Sequence, residues 1–443
     1  MTHPVFLSLL QQQPAPSVVP ADTAWMLTAT ALVLLMTPAL GFFYGGLVRS
    51  KNSLNTMMMS YVALGAVGLL WAIVAYSLAF ADGSPWLGGF QHALLNGVTA
   101  GPKGTIPHVL FMAYQGTFAI ITAALISGAI VERMRFGPYV AFIALWVLLV
   151  YAPVAHWVWG GGFLGKLGVL DFAGGTVVHI NAGVSALVAA MVIGSRKDYG
   201  RQAILPHNVP FVLLGAGLLW FGWFGFNGGS ALAANASAAT AFTNTFLAPM
   251  ATLIAWVLLD YARTGHATAV GGATGIVVGL VAITPAAGFV SPMGAIALGA
   301  LAAFPSYFAI VARSRTRLDD SLDVFAGHGI GGISGALLTG VLAQKAWGGT
   351  DGLLAGNPAQ LGIQAVGVAC SFVYAGVMTF VILKVLGAIV ALRAPSKVEG
   401  LGMDVSQHGE EAYSNGEGSI LVLPEPDLGP AGAPSLSPTM VTR

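Results

Sequence analysis

Two histidines lie inside long apolar segments of this sequence, where ionisable side chains are rare. His179 is part of "DFAGGTVVHINAGVSALVAAMVIG" (171–194), and His328 begins "HGIGGISGAL". An aspartate precedes each histidine by eight residues, Asp171 in the first case and Asp320 in the second. Because an imidazole is costly in hydrocarbon, such residues tend to mark a pathway for a polar solute. The pair is therefore the first candidate for a functional site.

These residues also have ordinary structural explanations. A single histidine in a membrane helix can simply hydrogen-bond to a neighbouring helix, and Asp171 can serve as an N-cap. The paired occurrence favours a function, because the segments that begin at His179 and His328 both have glycine at the fourth following position and serine at the sixth. A capping carboxylate can still stabilise a cation above it, so both explanations of Asp171 can hold.

The composition indicates what kind of protein holds these side chains. Of the 443 residues, 56% are hydrophobic and 8% are charged, whereas ordinary soluble domains have about 25% charged residues. The net charge of +1 gives no indication of a nucleic-acid partner. The single cysteine, Cys370, cannot form an intramolecular disulfide. We therefore predict an integral membrane protein.

Stretches without charged residues define the membrane spans, because a transmembrane helix needs roughly 20 largely apolar residues. Seven stretches have the length of one span and two have the length of two. The long ones are interrupted by "NGGSALAANASAAT" (227–240) and "TPAAGFVSP" (284–292). The stretches are 23–48, 52–81, 104–131, 136–165, 172–195, 202–259, 264–312, 324–344 and 352–383. The sequence thus predicts an all-α polytopic membrane protein with eleven transmembrane helices.

The distribution of basic residues predicts the orientation, since short cytoplasmic loops carry an excess of Lys and Arg. Alternate loops and the start of the C-terminal tail hold thirteen of them: Arg49, Lys51, Arg133, Arg135, Arg196, Lys197, Arg201, Arg263, Arg313, Arg315, Arg317, Arg393 and Lys397. The other loops hold three, Lys103, Lys166 and Lys345. We predict an external N-terminus and a cytoplasmic C-terminus.

Short similarities indicate an inverted repeat of helices 1–5 and 6–10, with a peripheral helix 11. The histidines lie in the fifth and tenth predicted helices, which run in opposite directions, and "GFFYGG" in the first helix is similar to "GWFGFNGG" in the sixth. Such repeats place a transport site at the interface of the halves. Each histidine is about 12 Å along its helix from its aspartate, which leaves about 6 Å between them in depth. We expect the two imidazoles to touch.

The repeat divides the chain into segments. We predict an external tail, the first half, the second half, a loop with helix 11, and a cytoplasmic tail, at 1–22, 23–200, 201–345, 346–393 and 394–443. The first segment contains a brief apolar patch without a basic residue, so a cleaved signal sequence is a secondary interpretation. After about residue 414 the chain is rich in Pro, Gly and Ser, which predicts disorder.

Seven motifs carry a family resemblance. They are "DFAGGTVVHINAG", "GWFGFNGGSA", "PHNVPFVLLG", "YQGTFAIIT", "HWVWGGG", "DDSLDVFAGHGIGG" and "GLGMDVSQHGEEAY". Together they resemble the ammonium transporters of the Amt/Mep/Rh superfamily, and the bacterial Amt branch most closely, from about Ala21 to Tyr413. The resemblance implies a channel-like transporter rather than an enzyme, with no cofactor and no bound metal.

The resemblance also implies roles for individual residues. An external vestibule would bind ammonium between an aromatic cage and a serine hydroxyl, at Trp159, Phe118, Tyr114 and Ser230. Aromatic faces attract a cation, and a hydroxyl accepts an N–H hydrogen bond. The alternative for these aromatic residues is packing against lipid. Tyr114 departs from the phenylalanine found in some members of the family.

Further residues match the family pattern below this vestibule. Phe118 and Phe226 would form a stacked phenyl gate, His179 and His328 would line the pore, and Asp171 would orient the site. Trp223, Asn227 and Thr284 also match motif positions, without a defined role. Ammonium would lose its proton near the gate, ammonia would pass the imidazoles, and potassium, which has no proton to lose, would be rejected. Whether the proton travels separately is left open.

The implied partners are ammonium, ammonia, methylammonium, the lipid bilayer of the cell membrane and two further copies of the chain in a homotrimer. Residues 401–413 would pack beneath the neighbouring subunit; the alternative is a solvated tail. A trimeric PII signal protein is a further expected partner on the cytoplasmic face.

Three alternatives belong beside this interpretation. An ammonium sensor or a Rh-like gas channel would share the same superfamily. An intramembrane serine protease is suggested only by "GISG" at 332–335. Because Ser334 lies six residues after His328, the two side chains would point about 240° apart on a helix, which argues against a catalytic pair.

Overall fold

The computed structural model describes residues 17–413, and this part of the chain is mostly helical. We number the principal helices along the chain as α1 (Pro20–Leu47), α2 (Ser50–Phe80), α3 (His108–Ala129), α4 (Phe136–Leu167), α5 (Gly175–Ile193), α6 (Val209–Gly229), α7 (Ala236–Thr264), α8 (Ala269–Ile283), α9 (Pro292–Arg313), α10 (Phe325–Leu342) and α11 (Pro358–Ile389). Ten of them are long and apolar enough to cross a membrane, and α8 is shorter. The prediction of an all-α polytopic fold is therefore confirmed.

The two double-length apolar stretches are divided where the sequence loses its long apolar side chains. α6 ends at Gly229, and α7 begins after Asn235, whose side chain accepts a hydrogen bond from the backbone N–H of Ala238. Likewise, α9 begins after Ser291, whose hydroxyl accepts from the N–H of Gly294. Both residues are N-caps, which satisfy backbone donors that a helix start leaves free.

Short elements complete the segment between α2 and α3. A two-stranded antiparallel ribbon pairs Pro102–Lys103 with Ile106–Pro107, and a single helical turn covers Ala93–Leu95. The ribbon explains why α3 begins at His108, four residues later than the charge-free stretch suggested.

Helices α5 and α10 cross in the centre of the molecule at a distance that only glycine permits. A Cβ atom on Gly183 would overlap with the backbone of Gly329 on α10, and a Cβ on Gly332 would lie 3.0 Å from the Cβ of His179 on α5. Each helix thus places a glycine on the histidine segment of the other. This reciprocal packing is what a two-fold axis in the membrane plane predicts.

The first turns of α5 and α10 differ from the regular α-helix that the sequence suggested. Both helices begin with a π-helical turn, Gly175–Ile180 in α5 and Phe325–Ile330 in α10. Each turn contains the histidine of its helix. π-turns are rare and frequently lie at functional sites. Two others, Trp71–Ala75 in α2 and Val147–Tyr151 in α4, contain no histidine, so it is the matching position of the turns in α5 and α10 that agrees with the sequence.

α11 packs against α5 and α10, which places it beside the repeat rather than within it. After it, two short helices, Ser396–Leu401 and Met403–His408, lie on the surface that carries most of the arginines. We call this surface the basic face and the surface formed by the loops 81–107, 168–174 and 284–291 the opposite face. The predicted signal sequence and the predicted disorder after residue 414 fall outside residues 17–413.

Candidate functional site

His179 and His328 are in contact at the centre of the molecule. Their Nδ1 atoms are 3.3 Å apart, and their rings lie 5.3 Å between centroids at an interplanar angle of 27°. The two side chains are 1% and 5% exposed. Because both atoms in this hydrogen bond are ring nitrogens, one must donate and the other must accept. The contact therefore requires an N–H group on one ring and a lone pair on the other.

The Nε2 atom of His179 is buried and has no hydrogen-bond partner within residues 17–413. An unpaired buried ring nitrogen is costly, so such groups call for an explanation. His179 lines a narrow apolar cavity that has room for roughly one water-sized molecule. The cavity is lined by Met36, Leu40, Phe43, Ile121, Leu125, Val178, His179, Leu219, Trp223, Phe226, Val277 and His328. A small solute there can hydrogen-bond to imidazole nitrogen and to little else.

Asp171 holds the first turn of α5, and with it the ring of His179, in place. Its carboxylate accepts hydrogen bonds from the backbone N–H groups of residues 174–177 and from the hydroxyl of Thr176. Asp320 caps α10 in the same manner, accepting from the N–H groups of Val324 and Phe325. The predicted N-cap role of Asp171 is thus present in the structure, and its side chain does not reach the histidine pair.

Two phenyl rings close the cavity on the side of the opposite face. Phe118 and Phe226 are stacked, with centroids 4.2 Å apart and an interplanar angle of 28°. Phe226 in turn lies 5.9 Å from the ring of His179, and Trp223 lies 5.4 Å from it. A solute that approaches the imidazoles from this side must pass the two phenyl rings.

Trp223 and Thr284, two of the three motif residues without a defined role, support the side of the narrow cavity next to His179. The indole N–H of Trp223 donates to the hydroxyl of Thr284 at 2.9 Å, which fixes the ring beside His179. Asn227 instead donates to the hydroxyl of Thr245 at 2.9 Å and joins α6 to α7. The structure therefore places Trp223 at the cavity, and Asn227 in the packing between helices.

The remaining predicted aromatic residues lie above the phenyl stack. The ring of Phe118 is 6.0 Å from Trp159 and 5.0 Å from Tyr114, edge to face in both cases. The indole N–H of Trp159 donates to the backbone oxygen of Asp171 at 2.9 Å, and Trp159 is half-buried. The predicted cage residues are therefore brought together rather than dispersed towards lipid.

The hydroxyl groups of Ser230 and Tyr114 complete this region. Ser230 donates to the carbonyl oxygen of Phe226 at 2.8 Å, and the hydroxyl of Tyr114 lies 2.9 Å from the same oxygen and 3.0 Å from that of Gly225. The two hydroxyl oxygens are 3.3 Å apart. Because their protons point at backbone carbonyls, their lone pairs remain to accept N–H hydrogen bonds.

A second cavity continues the path towards the basic face. It has a volume of about 580 Å³, and it shares Phe43, Val277 and His328 with the narrow cavity. Arg313 and Asp323 line its wall and form an ion pair at 2.5 Å. Burial raises the pKa of Asp323 to about 6, although the neighbouring Arg313 favours the charged carboxylate.

Apart from Trp223 and Phe226, the sequence interpretation did not identify the apolar residues of the narrow cavity, Phe43 among them. Phe43 lies in "GFFYGG", the motif that was singled out for its similarity to "GWFGFNGG", which contains Phe226. Pairing the two motifs position by position would have pointed to an aromatic residue at each end of the pore. The remaining lining residues are apolar like most of the chain, and no local signal distinguishes them.

The serine of the protease alternative lies apart from any histidine partner. Ser334 makes no hydrogen bond to a histidine in the part of the chain that the structure describes. The pairing that a serine nucleophile requires is therefore not formed there.

Comparisons with known proteins agree with this geometry. Residues 24–413 match the model of the Ammonium Transporter Family. An ammonium transporter of Aquifex aeolicus is 52% identical over 402 residues, covering 89% of this chain and 93% of its own. The structure is similar to the crystal structure of Saccharomyces cerevisiae Mep2, with a TM-score of 0.80, 35% identity and coverage of 85% and 87%. It is also similar to a structure titled Sensor Amt Protein, with a TM-score of 0.82, 30% identity and coverage of 88% and 98%.

Proposed function

The chain belongs to the ammonium transporter family and is a multi-pass membrane protein that transports ammonium, and we propose that it does so by the route described above. Ammonium is recruited at the opposite face, gives up its proton near the phenyl stack, and crosses the narrow cavity as ammonia. It regains a proton in the wide cavity at the basic face. In this proposal the basic face is cytoplasmic and the opposite face is external.

Recruitment uses the aromatic residues and the two hydroxyl groups together. The faces of Trp159 and Phe118 attract a cation, and the attraction grows as the ion loses water. The oxygens of Ser230 and Tyr114 accept its N–H hydrogen bonds. A spherical cation such as potassium gains the first of these interactions, but it has no N–H group to donate.

Deprotonation provides the main selectivity. A charge is strongly disfavoured in a cavity walled almost wholly by hydrocarbon, so an ion that cannot become neutral stays outside. Ammonia can enter and hydrogen-bond to the free Nε2 of His179 and then to His328. The proton left behind either returns to the external solution or moves along the hydrogen-bonded imidazole pair, and the second course would make transport electrogenic.

The observation that carries the proposal is the continuous series of contacts between the two faces. Trp159 meets Phe118, Phe118 stacks on Phe226, Phe226 adjoins His179, and His179 bonds to His328. His328 then lines the wide cavity. The polar groups of this series are the two imidazoles, at the depth where a neutral solute most needs hydrogen bonds.

Replacement of both imidazoles tests the relay. In proteoliposomes, we expect the double variant His179→Leu, His328→Leu to lose at least about tenfold in methylammonium uptake, because two buried hydrogen bonds of about 1 kcal/mol each are removed. The variant His266→Leu, an exposed residue on the basic face, serves as the control. Unchanged uptake together with unchanged rejection of potassium in the double variant would contradict the relay.

The assembly and its partners are part of the same proposal. We propose a homotrimer in the cell membrane, with methylammonium as an alternative substrate and a PII signal protein as a partner on the basic face. The excess of basic residues in the loops of that face supports its cytoplasmic orientation. Native mass spectrometry in detergent tests the trimer, and co-purification with the PII protein tests the partner.

A sensor is the second candidate, because the structure is similar to the Sensor Amt Protein over most of that chain. A sensor needs the binding site but does not need net transport. Growth of a transport-deficient microbe on low ammonium separates the two: rescue by this chain indicates transport, and binding without rescue indicates a sensor. Currents that accompany uptake would further separate an electrogenic transporter from a Rh-like gas channel.

A further inference from the structure

His156 lies near the external end of α4, with a side chain that is 2% exposed and that the proposed pathway does not use. Its Nδ1 atom is 3.0 Å from the backbone oxygen of Ala79, and its Nε2 atom is 2.8 Å from the backbone oxygen of Ser84. A carbonyl oxygen can only accept a hydrogen bond, so both ring nitrogens must donate. Neutral imidazole has one N–H group, whereas imidazolium has two.

The surroundings of His156 favour this positive charge. Ala79 is in the last turn of α2, and His156 is in the last turn of the α4 segment Ala152–Val158, so two helix C-termini converge on the ring. The C-terminal end of a helix carries a partial negative charge that stabilises a cation. Carbonyl dipoles therefore hold the charge here in place of a carboxylate.

Charged side chains on the neighbouring elements do not pair with the ring. Asp82 on the loop after α2 and Lys166 on the last turn of α4 form no hydrogen bond or ion pair with His156 in the described part of the chain. The carboxylate of Asp171 is occupied by the first turn of α5. The charge of His156 is thus tied to the two carbonyl oxygens alone.

Of these two hydrogen bonds, the one to Ser84 fastens the loop 81–89 to the segment 156–163, which contains Trp159, and the one to Ala79 fastens that segment to the end of α2. The same segment donates two further hydrogen bonds to that loop, from the indole N–H of Trp157 to the oxygen of Trp86 and from the N–H of Phe163 to the oxygen of Pro85. A Cβ atom on Gly160 would overlap with the oxygen of Ala79. The segment is therefore held in close contact with the end of α2.

We propose that His156 is a positioning residue of the ammonium cage and that its ring donates to both carbonyl oxygens as an imidazolium. By fastening the loop 81–89 to the segment 156–163, it fixes the place of Trp159, three residues further on, above the phenyl stack. This inference rests on the proposed cage. A neutral ring would turn a nitrogen lone pair towards one of the two carbonyl oxygens and would release that side of the attachment.

The protonation state can be measured without transport. In lipid-embedded protein with ¹⁵N-labelled histidine, solid-state NMR at pH 7.5 should show a histidine with two protonated ring nitrogens, and the signal should be missing in His156→Gln. The matched control is His207→Gln, because one nitrogen of His207 faces the hydroxyl of Tyr413, which can donate or accept. A neutral tautomer at His156 would overturn the proposal whether or not the variant folds.

The positioning role is tested by two readouts in His156→Gln. We expect the half-saturation concentration for ammonium to rise about fivefold, the factor that one lost hydrogen bond gives, while the maximal rate changes little. The indole N–H resonance of Trp159 should shift, since its contact with Asp171 loosens. An unshifted Trp159 resonance would contradict the positioning role. A maximal rate that falls by the same factor as the half-saturation concentration rises would also contradict it.

A third variant separates the two proposals. Trp159→Ala should raise the half-saturation concentration at least as much as His156→Gln does. If Trp159→Ala has no effect, the cage itself is wrong. If Trp159→Ala has the effect and His156→Gln does not, the cage stands and the role of His156 is wrong.

Discussion

The hydroxyl of Tyr114 shows how a single group can set the properties of the recruitment site. Its oxygen lies 3.3 Å from that of Ser230, and its proton is directed at backbone oxygens of α6. It therefore restricts the Ser230 hydroxyl and adds an acceptor of its own. Phenylalanine at this position would keep the ring and the contact with Phe118 but would lose both effects.

We expect Tyr114→Phe to raise the half-saturation concentration for ammonium about fivefold, because a net hydrogen bond contributes about 1 kcal/mol. The maximal rate should stay within about twofold, since the phenyl gate and the imidazoles are untouched. Uptake of labelled methylammonium as a function of concentration measures both quantities. Ser230→Ala should have a similar effect, and the double variant should be less than additive because the two hydroxyls are neighbours. Full additivity would indicate that the two groups act independently.

At the scale of elements, the crossing of α5 and α10 brings the two imidazoles into contact. The two helices approach so closely because Gly183 lies against the backbone of Gly329, and each histidine lies in the π-turn of its helix at this crossing. The pore lining thus depends on glycines that do not themselves touch the solute. Their contribution is measurable as stability and as transport.

We expect Gly183→Ala to destabilise the protein by about 1–3 kcal/mol, the usual cost of adding a methyl group to a filled core. Uptake should fall as well, because the histidine pair is pushed apart. Gly217→Ala on α6 is the control, since a Cβ at Gly217 meets no atom within 4 Å, and alanine favours helix formation. Thermal unfolding in detergent compares the two variants. Equal stability of both would refute the close crossing.

At the scale of the whole molecule, buried ion pairs on the basic face join the two halves. Glu132, which is 0% exposed, forms ion pairs with Arg49 at 3.0 Å and with Arg196 at 2.9 Å, and Arg196 also binds Asp319 of the second half. Burial alone would raise the pKa of Glu132, but the two arginines outweigh it and lower the pKa. The stabilisation by Glu132 is therefore present above its ordinary pKa and is lost only as the pH falls through the lowered value.

Glu132→Gln should destabilise the protein by about 1–3 kcal/mol, because Arg49 and Arg196 each lose one of two counter-charges and keep only Asp198 and Asp319. Asp198→Asn is the matched control. It removes a partner of Arg49 that is more exposed than Glu132. The side chains of Arg49 and Asp198 are 23% and 24% exposed, so this loss should cost at most about 1 kcal/mol. Thermal unfolding at pH 7 measures the difference. A smaller loss for Glu132→Gln than for Asp198→Asn would contradict the role of the buried network.

The C-terminal tail is fastened to the same face through Asp404, which accepts hydrogen bonds from the N–H groups of Leu54 and Asn55 at 3.0 and 2.7 Å. Burial raises the pKa of Asp404 to about 6 from the ordinary 3.8, despite these bonds. Because the pKa is raised, protonated Asp404 stabilises the folded protein. This stabilisation is complete below the ordinary pKa of 3.8 and is lost as the pH rises through about 6.

The stability with which the tail is bound in the wild-type protein, measured relative to that in Asp404→Asn, should therefore be greater at pH 5 than at pH 7. Hydrogen exchange of residues 396–408 in both proteins measures this difference. His408 is present in both, so its own titration cancels in the comparison. The same pH dependence in the two proteins would show that Asp404 does not titrate in this range.

Much of the architecture is determined by the sequence alone. The absence of charge from each roughly 20-residue stretch predicts a membrane helix, because partition into hydrocarbon is a property of each segment by itself. The identical spacing of Asp171–His179 and Asp320–His328 pointed to the central pair, and the structure brings these histidines together. The roles of the pair and of the vestibule residues stay predictions.

The tertiary structure decided which side chains meet. His156 and Ala79 are 77 residues apart, and Glu132 and Arg196 are 64 apart. Phe43 reaches the pore through the packing of α1 against its neighbours. Such contacts depend on how each helix is rotated and where it crosses the next, and apolar helices have few local features that show this. The π-turns that contain the two histidines were likewise not predicted from the sequence.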